Sequence, residues 1–182
     1  MRRYIRYGLA VIRGLLFQMT CIFRAGFSGG RKLLLCKNAE IMARSGGRVC
    51  LGDRVGIGRR SMLSALNGGR IDIGDQVAIG EDCRIVCHEE IRIGKGSLLA
   101  PGVMIYDHDH VFDKEHGVNK REFKTSGISI GENCWIAANV IILRGTHIGD
   151  RSVVGAGSVI KGSYPAGSVI VQKRSTEVYE VQ

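Results

Sequence analysis

Asp107-His108-Asp109-His110-Val111-Phe112-Asp113 opens a polar stretch, residues 107–127, that holds three of the chain's five histidines. Carboxylates and imidazoles alternate there, which is the material of acid–base chemistry. A neutral imidazole, with an unperturbed pKa of about 6.5, accepts a proton near neutral pH. General base catalysis is therefore the chemistry this stretch suits, with a neighbouring acid to orient the ring. The residues alone leave open which histidine acts.

The chain around this stretch obeys a period of six. Ile130, Ile136, Ile142, Ile148, Val154 and Ile160 recur at every sixth position. Upstream, Leu51, Ile57 and Leu63 keep the spacing; four residues are inserted before Ile73, Ile79 and Ile85, and two before Ile93, Leu99 and Ile105. Six is neither the helical period nor the alternation of a single strand. It fits a chain that turns a corner once per repeat and sends one aliphatic side chain inward, the signature of a parallel β-helix. A sandwich of alternating strands would instead place turn signals about every eight to twelve residues. Glycine follows many inward residues, as at Gly58, Gly74, Gly80, Gly94, Gly131 and Gly149, where a positive φ at a tight corner is expected. Leu66-Asn67-Gly68-Gly69-Arg70 and His88-Glu89-Glu90 mark the two slips, and 107–127 leaves the period as one long excursion loop, the kind of segment that carries function on a rigid scaffold.

Residues 1–35 differ in kind. Ile5, Leu9, Ile12, Leu16, Met19 and Phe23 fall at helical spacing. Arg13 interrupts the apolar run, which stays short of the ~20 residues a spanning helix needs and lacks a clear signal-peptide cleavage site. Two compatible readings follow: a cap on the open end of the β-helix, or a helix lying on a membrane surface with its arginines at the headgroups. The net charge of +9 supports the second, because residues 1–39 hold eight Lys or Arg and no acid while the remainder holds 18 basic and 17 acidic residues. A near-neutral body without aromatic interleaving gives no reason to expect nucleic acid. None of the six cysteines forms a C-x-x-C pair, so a reducing, cytoplasmic setting without disulfides is expected, at the inner face of the membrane if the helix touches lipid. The expected organisation is a basic amphipathic helix and hinge over 1–35, the repeat body over 36–171 and a tail over 172–182.

The repeats, the excursion after Tyr106 and the Gly131-Glu132-Asn133-Cys134-Trp135-Ile136 restart together resemble the left-handed β-helix acyltransferases, most of all their sugar O-acetyltransferase branch. The likeness covers roughly residues 45–171. It implies an all-β triangular prism with a left-handed coil, a hand that coil physics alone would not supply. It implies a homotrimer with its site in the cleft between neighbours, acetyl-CoA as co-substrate, a sugar or glycan as acceptor and no metal. Such enzymes place the catalytic histidine at the start of the loop with an acid three residues on. His110 with Asp113 fits that pattern, and His108 is second. Tyr106, Asp107, Asp109 and Asp113 go to the acceptor side, with Asp107 or Asp109 orienting the imidazole. Trp135, Ala138, Gly155 and Ala156 match positions along the pantetheine arm, and Lys161 a position near the phosphates.

Two departures stand beside the match. Val169-Ile-Val-Gln-Lys-Arg-Ser-Thr replaces the branch's Gly-x-Pro-Ala ending, leaving Lys173 and Arg174 as the candidates for the nucleotide end of CoA. The basic helix replaces the acceptor-binding start of the maltose-type enzymes, which points to a lipid-linked or nucleotide-linked glycan in surface-polysaccharide assembly. Other readings are a γ-type carbonic anhydrase with histidines on zinc, a non-catalytic β-helix scaffold, and a serine O-acetyltransferase, which would need a long helical N-terminal domain.

Overall fold

A computed structural model describes residues 2–21, 26–173, 175 and 177–179, apart from the side chains of Arg2, Arg3 and Cys21. Phe23, Arg24 and Arg174 lie outside the described residues.

The repeats wind into a three-sided parallel solenoid. Two sheets of seven strands and one of six run along it, and in each a strand pairs with its counterpart one coil away. All fifteen period-six residues are buried, from Leu51 at 6% exposed to Ile142 at 0%. Equivalent residues are 22 apart in the early coils, as for Asp53 and Asp75, and 18 apart in the later ones, as for Glu132 and Asp150. The extra residues lengthen the strands on either side of one corner, to four residues in Met62–Ala65 and Arg70–Ile73 against three and two in Ile141–Leu143 and His147–Ile148, and the parallel register is kept. Buried serines stitch the coils from inside: Ser97 Oγ donates to Gly131 O at 2.8 Å and accepts from Cys134 N at 3.0 Å. Among the described residues no buried side-chain nitrogen or oxygen lacks a partner, as a packed interior requires.

The corner glycines serve closeness rather than the expected φ. Positive φ falls two residues later, on Arg54, Arg60, Gln76, Asp82 and Asn133 among others. A Cβ on Gly94 would instead lie 2.5 Å from Gly131 C, and one on Gly149 2.3 Å from Ala166 N. Glycine at these points lets one coil's backbone rest on the next.

The solenoid begins earlier than expected. Phe27–Gly29 and Leu34–Leu35 already pair with the second coil, so the presumed hinge is part of the first one. A helix, α1 (Arg2–Cys21), packs against this end. Its first turn holds no acid and its last turn no base, so its termini do little to offset the macrodipole and packing must hold it. That packing uses the small residues. Ala10 is 4% exposed, Phe17 meets Phe27 edge-on at 5.7 Å, and a Cβ on Gly14 would stand 2.0 Å from Leu33 O. The large apolar stripe of Ile5, Leu9, Ile12, Leu16 and Met19 faces out, between 44% and 64% exposed. The cap and the apolar stripe are two faces of one helix.

The excursion is a hairpin. His108–Asp113 pairs antiparallel with Gly117–Thr125, and the register shifts between His110 and Val111. The sequence hid these strands because neither carries an apolar face to bury.

Replacing Gly94 by Ala should destabilise the solenoid by about 2 kcal/mol. Gly56→Ala, with no atom within 4 Å of the new Cβ and an ordinary φ, should be neutral or stabilising. Urea denaturation of the two variants checks the contrast.

Candidate active site

The hairpin leaves the solenoid at a corner built around one buried carboxylate. Asp107 is 0% exposed. Its oxygens accept from the backbone N–H of His88 at 2.8 and 3.1 Å and of Glu89 at 2.8 Å. They also face His108 Nδ1 at 3.2 Å. A buried carboxylate needs such donors, and the two-residue slip at 88–90 supplies them. With Nδ1–H of His108 donated to Asp107, Nε2 is left as the acceptor nitrogen.

Three imidazoles gather on one aromatic ring from the return strand. Phe123 lies 4.3 Å from His88, 5.4 Å from His108 and 4.7 Å from His110, centroid to centroid. The His88 and His108 rings stack at 4.1 Å. Asn67 Nδ2 donates to His88 Nδ1 at 3.2 Å, which places the neutral ring's proton on Nε2. Burial, and next the neighbouring His108, hold the His88 imidazole below its ordinary pKa. His110 is exposed, at the register shift, with Nδ1 3.4 Å from Asn119 O. A bulge re-aims side chains, and here it turns His110 outward. Asn119 shapes it by accepting from Arg121 N at 3.0 Å.

The acids divide differently from the sequence expectation. Asp107 orients His108 and is too deep to meet an acceptor. Asp109 pairs with Arg144 rather than with either ring. Asp113 is occupied in the hairpin turn, accepting from Glu115 N at 2.9 Å and His116 N at 2.7 Å. Tyr106 is half-buried, edge-on to His108 at 6.1 Å. Sequence reasoning misses Phe123, His88, Asn67 and Arg144. His88 stands in a polar cluster that the slip marks, but only the hairpin register brings Phe123 to His110.

The residues matched to CoA lie elsewhere on the chain. Trp135 is 51% exposed on the second sheet, beside Leu98 and the Val153 strand position. Ala138 and Ala156 occupy the corner between the second and third sheets in successive coils, where Gly157 N donates to Ala138 O at 2.8 Å. Gly155 lies under the tail: a Cβ there would meet Val171 Cγ1 at 2.9 Å. Lys161 follows the third sheet's last strand, so it shares the hairpin's corner and does not continue the Ala138–Ala156 column. The exposed tail residue Lys173 follows Gln172, whose amide bonds both Val159 N and O, at 2.9 and 2.7 Å. One chain brings the histidines together at the corner between the third and first sheets, but sets Trp135 on the second sheet and Ala138 and Ala156 at the corner beyond it.

Comparison with known proteins agrees with this architecture. Residues 127–162 match the family "Bacterial transferase hexapeptide (six repeats)". That stretch carries six of the period-six residues, Ile130 to Ile160. The chain is 38% identical over 90 residues to the putative lipopolysaccharide biosynthesis O-acetyl transferase WbbJ of Escherichia coli, covering 45% of this chain and 46% of that one. It is 38% identical over 85 residues to the galactoside O-acetyltransferase of the same organism, covering 47% and 41%. The chain thus spans under half the length of these relatives. The resemblance to the sugar O-acetyltransferase branch of the hexapeptide acyltransferases stands on them. The fold is shared with the N-acyltransferase AntD of Bacillus cereus, solved as a mutant with dTDP-4-amino-4,6-dideoxyglucose and coenzyme A, at a TM-score of 0.68, 22% identity and coverage of 81% and 80%. It is shared too with the polySia-specific acetyltransferase NeuO, at 0.59, 20%, 84% and 86%.

Unfolded, His88 takes up a proton at about pH 6.5; folded, it does so lower. Stability conferred by this corner is therefore full above that pH and falls as the pH drops from there toward the lowered value. Hydrogen-exchange protection of amides 108–125 should decline between about pH 7 and 5, and His88→Asn should flatten the decline. Asp107→Ala, which strips the acceptor from two backbone N–H groups, should cost about 2 kcal/mol in urea denaturation.

Proposed function

We propose that the chain is an acetyl-CoA-dependent O-acyltransferase that moves an acetyl group to a hydroxyl of a sugar or glycan, in surface-polysaccharide assembly. The observation that carries this reading is His110: exposed, turned out at a hairpin bulge, with Nδ1 toward a backbone carbonyl and no hydrogen bond to Nε2 among the described residues. It stands on a hexapeptide solenoid related in sequence to sugar O-acetyltransferases. His108, 13% exposed in its side chain and tied to Asp107, serves better as a wall of the site.

In the proposed step His110 Nε2 takes the proton of the acceptor hydroxyl as its oxygen attacks the thioester carbonyl. The tetrahedral intermediate collapses, the new ester forms, the carbon–sulfur bond breaks, and the CoA thiolate recovers the proton from the imidazolium. A backbone N–H would steady the oxyanion, a large term in acyl transfer. Binding both substrates side by side removes the need for a covalent acyl-enzyme.

The corner that holds the histidines and the face and corner that hold Trp135, Ala138 and Ala156 meet only if a second copy supplies one of them. A homotrimer with its site between subunits suits this. The outward apolar residues of the second sheet, Leu98 at 46%, Trp135 at 51% and Val169 at 72% exposed, support burial against a neighbour. The outward stripe of α1 favours peripheral contact with a membrane, at the cytoplasmic face where acetyl-CoA is available. Among the described residues no helix is long and apolar enough to cross one.

His110→Ala should lower acetyl transfer to a glycan acceptor by on the order of a hundredfold or more, with acetyl-CoA binding and oligomeric state retained. Steady-state kinetics with sedimentation reads both. A His108→Ala enzyme crippled more deeply than His110→Ala would move the base to His108.

A further inference from the structure

A basic cleft lies along the flank of α1. It encloses about 410 Å³ and is lined by Arg6, Leu9 and Arg13 of the helix and by Cys36, Lys37 and Arg59 of the solenoid, with Glu81 below. Arg59 holds Glu81 through two hydrogen bonds, at 3.0 and 3.1 Å, so those two charges cancel. Arg6, Arg13 and Lys37 make no ion pair among the described residues. Three uncompensated cations thus converge on one cavity. Like charges held together repel unless an anion lies among them, and guanidinium forks with an ammonium suit the oxygens of a phosphate.

The cleft's surroundings specify where that phosphate comes from. Leu9 lines the cleft and also belongs to the outward stripe of Ile5, Leu9, Ile12, Leu16 and Met19. A ligand seated there has cations on one side and exposed hydrocarbon on the other. A soluble anion would use only the first. A lipid would use both: its phosphate in the cleft, its chains beside the stripe.

We propose that this cleft is a binding site for the phosphate headgroup of an anionic membrane lipid. The site orients α1 on the bilayer and fixes which side of the helix faces the headgroups. It rests on the membrane reading of α1 and is independent of the chemistry assigned to His110.

The test uses the full chain in sedimentation with vesicles of phosphatidylcholine alone or mixed with phosphatidylglycerol. The wild type should prefer the anionic vesicles. Near an anionic surface each basic residue strengthens binding, so Arg13→Gln with Lys37→Gln should lower partition to anionic vesicles roughly thirtyfold while weak binding to neutral ones persists. The same charge change on the exposed hairpin, Lys120→Gln with Arg121→Gln, should lower it far less. Ile12→Ser with Leu16→Ser should abolish binding to both vesicles. An equal loss from the hairpin pair would show diffuse attraction and overturn the site while leaving membrane contact intact. Tight binding of glycerol phosphate without vesicles would make it a soluble-anion site. A wild type that ignores both vesicles would remove the membrane reading as well. Acetyl transfer to a soluble acceptor, followed in the same samples, should not change in the Arg13/Lys37 variant.

Discussion

The structure depends on each coil lying flat on the next. Backbone donors of one coil find their acceptors one coil away, as Leu98 N does on Cys134 O at 2.8 Å and Ala100 N on Ile136 O at 2.8 Å. Unpaired groups in the ladder would carry the cost of a lost hydrogen bond, so a side can lengthen only where the neighbouring coil lengthens with it, as Met62–Ala65 does with Arg84–Cys87. Unmatched residues must leave at a corner. The same constraint removes side chains from the points where coils touch, which is why a Cβ on Gly58 would come within 2.2 Å of Gly80 O. A scaffold this regular has few places to put chemistry, and the hairpin at the fourth coil is one of them.

Asp107 is where the regular and the irregular parts are joined. It continues directly from the strand Met104–Tyr106, yet its carboxylate captures the corner of the preceding coil, at His88 and Glu89. One buried group therefore ties the hairpin's first residue to the solenoid, and the His88–His108–Phe123 stack ties the return strand to the same spot. His110 is exposed but not loose, since its ring rests on a Phe123 held from below. This is how a histidine on an excursion can keep a fixed direction, which a proton-transfer geometry demands.

Much of this is legible in the sequence, because a period of six in Ile, Leu and Val has few other causes. The inward column, the slips and the excursion all follow from counting. What counting misses depends on contacts distant in the chain. The corner glycines suggest a φ requirement, but their role is set by a backbone 16 to 37 residues away, as in Gly149 over Pro165 and Gly94 over Gly131. Asp113 resembles a catalytic acid by spacing, but its turn consumes it. The first coil reads as a hinge because Ser28-Gly29-Gly30 carries no large side chain, although its backbone pairs with Cys50 and Leu51. The helix stripe is plain in the sequence, but its direction is not, because Gly14 and Ala10 look like interruptions of the stripe rather than a docking face.

That direction has a geometric consequence. The small-residue face brings α1 onto the first coil through Gly14 and Phe17, which leaves its apolar stripe exposed. Leu9 belongs to that stripe and still lines the cleft whose other wall runs over Lys37, Arg59 and Glu81, one residue from each of three successive coils. The helix therefore does more than close the end of the solenoid: one edge of it sits against the stacked corners. Exposed hydrocarbon and a column of charged corner residues meet along that edge because the coils repeat every 22 residues there, so a single helix residue can face the same corner of several coils at once.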